Sequence, residues 1–404
     1  MKKLLLICMS VLFVSCKQQE QKEDKFQSLT NELNEISKKG IIHGFSVAIA
    51  NEEKIVYEKG FGFSDITNKK VYSSNTLQKV GSVSKMFIGL SLLKAQELGK
   101  LNLDDPINQY LDFDVTNPNF PEEKITIRQL ANHTSSIADT DFYDENTYVL
   151  KEDNGFNGID IMKEVFKPSN THTSMSDFLK KILLKESQSY SEKVFTNEKP
   201  GTKFNYTNVG AALAAYVLER ATGETFPNFT KKYIFDPLKM TSSGWSYETV
   251  DTTKTSNLYY GNTEVPVYRL QAYPDGGLYT SSHDLGLLLN ELIKGQFGKG
   301  ELLKKENYLQ LFGSTDFIAS VDQFKKENPA LSVHYDEGLF MGKTEAGNFG
   351  HTGGDFGLIS LFFFNAHNKQ GRVLIVNTHV EPSNEELLNT LWSIWDKLDG
   401  YKLD

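Results

Sequence analysis

The stretch KVGSVSKMFIGL, residues 79–90, places Lys85 three positions after Ser82 and directly before an apolar run. On a helix, positions i and i+3 share a face, with Cβ atoms about 5–6 Å apart. A helix starting near Ser82 sets that hydroxyl at the positive end of the helix dipole, where developing negative charge is stabilised. Burial beside Met86, Phe87 and Ile88 pushes a lysine pKa down, and a neutral amine can then accept the serine proton. The chemistry on offer is nucleophilic attack by Ser82 with Lys85 as base. The plainer reading is a surface lysine opening a buried helix. The spacing alone is cheap, because S-x-x-K arises about once or twice by chance in a chain of this size. It recurs at Ser91 and Lys94. That copy lies well inside the same helix and reads as structural.

A nucleophilic serine needs a base within hydrogen-bond reach and donors for the oxyanion. Downstream segments supply candidates. FNYTNVG carries Tyr206, Thr207 and Asn208 ahead of a helix. YPDGGLYTSSHDL carries Asp275-Gly276-Gly277, read as a tight turn shaping a cleft wall. FGHTGGDFG carries His351, Thr352, Gly353 and Gly354. His133 and His283 read as local caps or loop anchors, and Arg269 as a residue that could meet an anionic substrate end. The eight histidines are scattered without metal-ligand spacing, so no metal site is expected.

S-x-x-K, Y-x-N and H-x-G in this order resemble the serine hydrolases of the β-lactamase and penicillin-binding superfamily. The most similar group is the class C β-lactamases, the D-alanyl-D-alanine carboxypeptidases and related esterases. The flanks QKVGSVSKMF, ITIRQLANHTSSI, KPGTKFNYTNVGAALAAYVLERATG and PDGGLYTSSHDL agree. The likeness spans nearly all of residues 27–398 and is poor over residues 138–195. It implies that Ser82 forms an acyl-enzyme and that Lys85, hydrogen-bonded to it, shares the base role. It implies that Tyr206 works as acid or base through a phenolate whose pKa cationic neighbours lower. Asn208 would orient Lys85 and bind the substrate amide. His351, Thr352 and Gly353 would lie on an edge strand beside the site, and the N–H groups of Ser82 and Gly354 would form the oxyanion hole. No metal or organic cofactor is implied.

Two positions depart from the family pattern. His351 stands where β-lactamases commonly carry lysine. An imidazole with the ordinary pKa of about 6.5 is largely neutral at pH 7, so it would hold a substrate carboxylate less firmly, and better as pH falls. The usual HTSG reads His133-Thr134-Ser135-Ser136 here, which would alter the loop beneath the site. The resulting expectation is a serine hydrolase acting on D-amino-acid peptides, amides or esters. A carboxylesterase, and a lipoprotein that binds penicillin or cell-wall fragments without hydrolysing them, stay open.

These residues must be positioned by an α/β fold, an antiparallel sheet flanked by helices with a second, mainly helical lobe. The sheet lobe is expected over about residues 27–80 and 270–398, and the helical lobe over about 81–269. GFSVAIANEEKIVYEKGFGFSD alternates around a turn near Asn51–Lys54 and reads as a β-hairpin. A helix is expected from Thr126, others near Ile159–Phe166, Ser176–Leu184 and Val209–Ala221, and adjacent strands in GLISLFFFN and RVLIVNTHV. Ser383 and Glu386 fit a capping box for the last helix.

The chain has 404 residues, 39% apolar and 12% aromatic, which is enough for a large folded core. Its net charge of −9 argues against nucleic acid as a partner and leaves a small-molecule or peptide substrate. Both cysteines, Cys8 and Cys16, lie in MKKLLLICMSVLFVSC. The basic start and short apolar run read as a secretory signal. The small residue before Cys16 resembles a bacterial lipoprotein cleavage site, with Phe13 where leucine is usual. The expectation is a signal over residues 1–16, lipidation at Cys16, a flexible tether over 17–26, and a lipid-anchored domain in the bacterial cell envelope, periplasmic or on the outer membrane.

Overall fold

The computed structural model describes residues 26–153, 160–313, 333–335, 338–344, 347–365 and 368–401. Cys8, Cys16 and residues 17–25 lie outside the described residues, as does Ile159 at the head of an expected helix. Helix α1 covers residues 26–38. It takes in Phe26, the last residue of the expected tether, because that ring stacks on Tyr57 at 5.2 Å.

The hairpin forms as β1 (Gly44–Asn51) and β2 (Ile55–Asp65). Asn51 closes it by accepting the N–H groups of Glu53 and Lys54 at 2.9 and 3.0 Å. Strands β3 (Lys70–Val71) and β4 (Gln78–Lys79) lead into a 3-10 turn, Gly81–Ser84, and then α2 (Lys85–Glu97). Thr126 caps α3 (Ile127–Ala131) in a full capping box with Gln129. The poorly matched stretch holds α4 (Asp141–Asn146), β5 (Tyr148–Leu150), α5 (Asp160–Val165) and α6 (Met175–Leu183). The first two were not expected, being too short to show a period. Helix α7 (Asn208–Thr222) ends at Gly223 in the left-handed conformation. Helices α8 (Phe226–Thr230) and α9 (Asp236–Leu238) precede strands β6 (Leu258–Tyr260), β7 (Thr263–Val265), β8 (Tyr268–Leu270) and β9 (Tyr279–Thr280). Helices α10 (Ser282–Gln296) and α11 (Lys305–Phe312) follow.

The final third is β10 (Val333–His334), β11 (Gly342–Thr344), β12 (Asn348–Asp355), β13 (Leu358–Asn365), β14 (Gln370–Val376) and α12 (Glu385–Asp399). The expected Ser383–Glu386 box is not the cap of α12. Asn384 is, its Oδ1 accepting the Leu387 N–H at 3.1 Å. Asparagine caps as well as serine, and the helix starting there buries Leu391, Ile394 and Leu398.

Strands from both ends of the chain form one antiparallel sheet in the order β10-β11-β12-β13-β14-β1-β2-β3. β1 pairs with β14 from Phe45↔Val376 to Asn51↔Gln370, and β12 with β13 from Asn348↔Asn365 to Asp355↔Leu358. Side chains alternate across a strand. Val47, Ile49, Leu361 and Phe363 therefore pack with α1 and α12, while Ala48, Ala50, Phe362 and Phe364 meet the larger helical core. The helix layer holds α2, buried against α7, with residues Met86 to Leu93 all shielded from water. A helix apolar on all sides belongs inside. This is the expected architecture.

The sheet meets the head of α2 at a tight seam. Gly81 is left-handed (φ +53°), and a Cβ there would lie 2.9 Å from the Gly354 nitrogen. A Cβ on Gly353 would lie 2.0 Å from the Val80 carbonyl oxygen and 2.4 Å from Ser360 Oγ, which itself donates to that carbonyl. Gly353 thus serves close approach of two backbones. Gly353→Ala should lower stability by about 1–3 kcal/mol, the usual cost of overpacking. Chemical denaturation measures it, and an unchanged midpoint would disprove the seam.

Candidate active site

Ser82 lies in the 3-10 turn that the left-handed Gly81 introduces, half-buried, just before the first turn of α2. Lys85 is fully buried. Its Nζ donates to Ser82 Oγ at 2.9 Å, to Asn208 Oδ1 at 2.7 Å and to the Asp275 carbonyl oxygen at 2.7 Å. An ammonium has three donors, and each meets an acceptor. When Lys85 is a neutral amine, Asn208 and Asp275 retain two N–H groups and the lone pair faces the serine. Burial holds the Lys85 pKa below the ordinary lysine value, against the opposing fields of Asp275, Asp139 and Asp355. The second S-x-x-K copy is structural: Ser91 Oγ donates to the Phe87 carbonyl at 2.6 Å, and Lys94 bonds Glu97 and the Leu302 carbonyl.

Asn208 opens α7, with Thr207 as N-cap accepting the Gly210 N–H. Its amide spans two partners: Oδ1 holds Lys85 and Nδ2 donates to Asp139 Oδ2 at 2.9 Å. Asp139 also accepts from Thr207 Oγ1 and from the N–H groups of Asn208 and Val209, at 2.7, 3.0 and 2.9 Å. A carboxylate at a helix N-terminus is favoured by the dipole. Sequence reading missed Asp139, which lies in divergent text, and missed Tyr143, whose hydroxyl donates to Asp275 Oδ2 at 2.6 Å. It took Asp275 for a turn residue only. The P-D-G-G string marked the turn, and nothing in it showed the buried carboxyl.

Tyr206 stands beside this group, with Lys85 Nζ 5.2 Å from its ring centroid. The expectation of a lowered phenol pKa is corrected. Burial pushes it above the ordinary tyrosine value, the Asp275 and Asp139 charges add to the rise, and the nearby Ser82 hydroxyl opposes it without reversing it. Tyr206 is a neutral phenol, suited to donating a proton before it accepts one. His133, expected as an anchor, stacks on this ring at 4.4 Å and accepts the Thr207 N–H at Nδ1.

The third motif also differs from expectation. β11 pairs with Phe349 and Gly350 of β12, so β12 is inner at its start and offers an edge only beyond them. The Thr352 N–H is already taken by the Tyr335 hydroxyl at 3.2 Å. His351 is 1% exposed, its ring 4.3 Å from that of Tyr335 and its Nδ1 donating to the Thr352 carbonyl at 2.5 Å. Burial and the Lys85 charge push its pKa down to about 3. A buried, neutral ring does not hold a carboxylate from the cleft. Gly354 is exposed, and a Cβ there would make only an ordinary contact with Ile359 Cδ1 at 3.9 Å. Arg269 is paired with Glu248 at 2.6 Å, and His283 with Glu58 at 2.8 Å. Where HTSG was expected, Ser136 takes the glycine-like conformation (φ +63°) and bonds Asn117 at 2.9 Å. Among the described residues no cluster of three or more metal-ligating side chains occurs.

His351 also links folding to pH. Its folded pKa of about 3 lies below the unfolded value of about 6.5. The unfolded chain therefore binds the extra proton between those values, and stability falls as pH drops through that window. His351→Gln should remove about 1–2 kcal/mol of the stability lost between pH 6.5 and 5. Urea unfolding at both pH values measures it, and equal losses in both proteins would refute a neutral His351.

The comparisons with known proteins bear on the family and the fold. The β-lactamase family model matches residues 26–396. Protein flp of Staphylococcus aureus is 28% identical over 268 residues, 65% of this chain and 48% of flp, so the match spans about half of that relative. The putative penicillin-binding protein PbpX of Bacillus subtilis is 26% identical over 87% of this chain and 73% of its own. Among solved structures, the octameric penicillin-binding protein homologue of Pyrococcus abyssi superposes with a TM-score of 0.66 at 20% identity, over 93% of this chain and 78% of that one. The D-amino acid amidase of Ochrobactrum anthropi SV3 gives 0.65 at 17% identity, over 92% and 99%. With the family model covering nearly the whole described domain, in which buried Lys85 is joined to Ser82 and Asn208, the chain belongs to the β-lactamase family.

Proposed function

We propose that this protein is a serine hydrolase working through an acyl-enzyme on Ser82. The observation that carries the reading is the Lys85 ammonium position, with two acceptors fixing the amine and the third being the serine hydroxyl. In acylation, Ser82 Oγ attacks the substrate carbonyl and passes its proton to Lys85. The N–H groups of Ser82 and Gly354 receive the oxyanion. Tyr206 donates its proton to the leaving amine or alcohol as the tetrahedral intermediate collapses, and recovers one from Lys85. Water then attacks the ester, with the same groups moving the proton in reverse. Asn208 keeps Lys85 in place and offers its amide to the substrate. Binding terms of this sort act in a partly dry site, where fixed dipoles count most.

The substrate class follows from what faces the cleft. Neutral, buried His351 supplies no cation for a terminal carboxylate, which supports amides and esters of D-amino acids over carboxylate-ended peptides. The D-amino acid amidase likeness is in keeping with this. At the other end of the chain, we place the protein on the cell envelope through a lipid on Cys16. Among the described residues no helix is long and apolar enough to cross a membrane. Mass spectrometry of the membrane fraction should find diacylglyceryl-Cys16 as the first residue, and an unlipidated chain starting elsewhere would rule it out.

The catalytic assignment is tested with a fluorophosphonate, a penicillin, p-nitrophenyl acetate and D-phenylalanine amide. Ser82→Ala should abolish covalent labelling and slow turnover at least about 10³-fold. Ser91→Ala should change turnover by less than about threefold, since surface and structural hydroxyls seldom matter more. Tyr206→Phe should slow turnover by about 10²–10⁴-fold with the fold intact. Equal losses at Ser82 and Ser91 would contradict the assignment. A persistent penicillin adduct with no ester or amide turnover would instead mark a binding protein.

A further inference from the structure

Next to Lys85 lies a residue whose carboxyl none of the steps above uses. Asp275 is 3% exposed and ends the turn Tyr273–Asp275. Its main chain and side chain do different things. The carbonyl oxygen accepts from Lys85 Nζ at 2.7 Å. The carboxylate Oδ2 accepts from the Tyr143 hydroxyl at 2.6 Å. Tyr143 is itself buried, at 5% exposure, and belongs to α4 in the divergent stretch. Thr140 caps that helix by accepting the Tyr143 N–H at 3.3 Å, and the Tyr143 ring packs on Phe178 of α6. The divergent stretch therefore reaches the site at two points, through Asp139 at Asn208 and through the Tyr143 phenol at Asp275.

We infer that Asp275 and Tyr143 form a positioning pair for Lys85: Tyr143 pins the Asp275 turn so that its carbonyl holds the amine, and the Asp275 charge governs how readily Lys85 gives up its proton. This rests on the acyl-transfer reading of Ser82 and adds a residue pair to it. A buried carboxyl with only one phenol donor is costly to keep ionised, and burial raises the Asp275 pKa while Lys85 opposes the rise. The charged and titratable groups facing the pair are Lys85 from α2, Asp139 ahead of α4, Tyr148 of β5 and Asp355 at the end of β12. Lys85 is also felt by His133 and His351, both neutral. When Asp275 is ionised it stabilises the ammonium and delays base formation. When it carries a proton, the amine is released toward Ser82. No proton passes directly between the two: the carboxylate accepts from Tyr143 and the carbonyl from Lys85, each group exchanges its proton with solvent, and they are coupled through charge.

The test is kcat/KM for p-nitrophenyl acetate against pH in the full chain, wild type and Asp275→Asn. Asparagine keeps an oxygen for Tyr143 and the same main chain; it removes the charge and sets an NH2 group in place of the other oxygen. The rising limb, which reports deprotonation of Lys85, should move to lower pH by about one unit. A purely structural role would lower kcat at every pH without moving the limb, and an unmoved or raised limb overturns the inference. Should Asp275→Asn fail to fold, Tyr143→Phe decides. It should lower kcat about tenfold with KM within about twofold, the signature of a misplaced base acting after binding. Unchanged kcat there overturns the pinning role. Ser82→Ala, run alongside, separates the two layers. If it keeps its turnover, the acyl-transfer reading itself is wrong. If it loses turnover while the Asp275→Asn limb stays put, only the positioning pair is.

Discussion

A buried lysine amine with three hydrogen-bond acceptors drawn from three distant stretches of chain is the constraint on which the rest of the structure turns. Ser82, Asn208 and Asp275 are separated by more than a hundred residues in one step and more than sixty in the next, yet all lie within hydrogen-bond reach of one nitrogen. An unpaired ammonium in that position would be prohibitive. The helix that presents it, the helix that opens on Asn208 and the turn at Asp275 must therefore be fixed against each other. The apolar surface of α2 and its packing on α7 do this, with the Lys85–Asn208 hydrogen bond joining the two helices at their starts.

The same constraint explains the acidic ring behind the amine. Asp139, Asp275 and Asp355 all act on Lys85. Asp139 is consumed by the start of α7, four donors meeting its two oxygens. Its charge is thus structural first and electrostatic second. Asp275 is different, with one phenol on its side chain. Asp355 follows the exposed Gly354 and bonds its neighbour's N–H. The site balances one cation that burial wants neutral against carboxylates that resist it, and small movements of these groups shift the outcome. Phenols and imidazoles around it, Tyr206, Tyr335, His133 and His351, are all held neutral by burial. The aromatic wall is thus a low-dielectric surround, which strengthens the few charges that remain.

Motif and period carried much of this into the sequence. S-x-x-K ahead of an apolar run fixed where α2 begins, since a helix start and a buried face are local properties. Strict alternation in GFSVAIA and the FFF run marked strands, because side chains on a strand alternate whatever they meet. Thr126 and Gly223 marked helix ends through their own donors, acceptors and backbone freedom. Ser383 misled by one residue, because neighbouring Asn384 caps equally well and nothing local decides between them.

What the sequence by itself determined is therefore the set of elements and the order of three motifs, each readable from neighbours a few residues apart. Only the tertiary structure decided the ionisation of the site. His351 looked like an ordinary titrating imidazole and is a buried neutral ring, Tyr206 looked like a phenolate and is a phenol, and Asp275 looked like a turn residue and is a buried carboxyl facing the lysine. The physical reason is that a pKa is set by water excluded and by charges brought near through folding. Both depend on residues far away in the chain, and no spacing of letters records them.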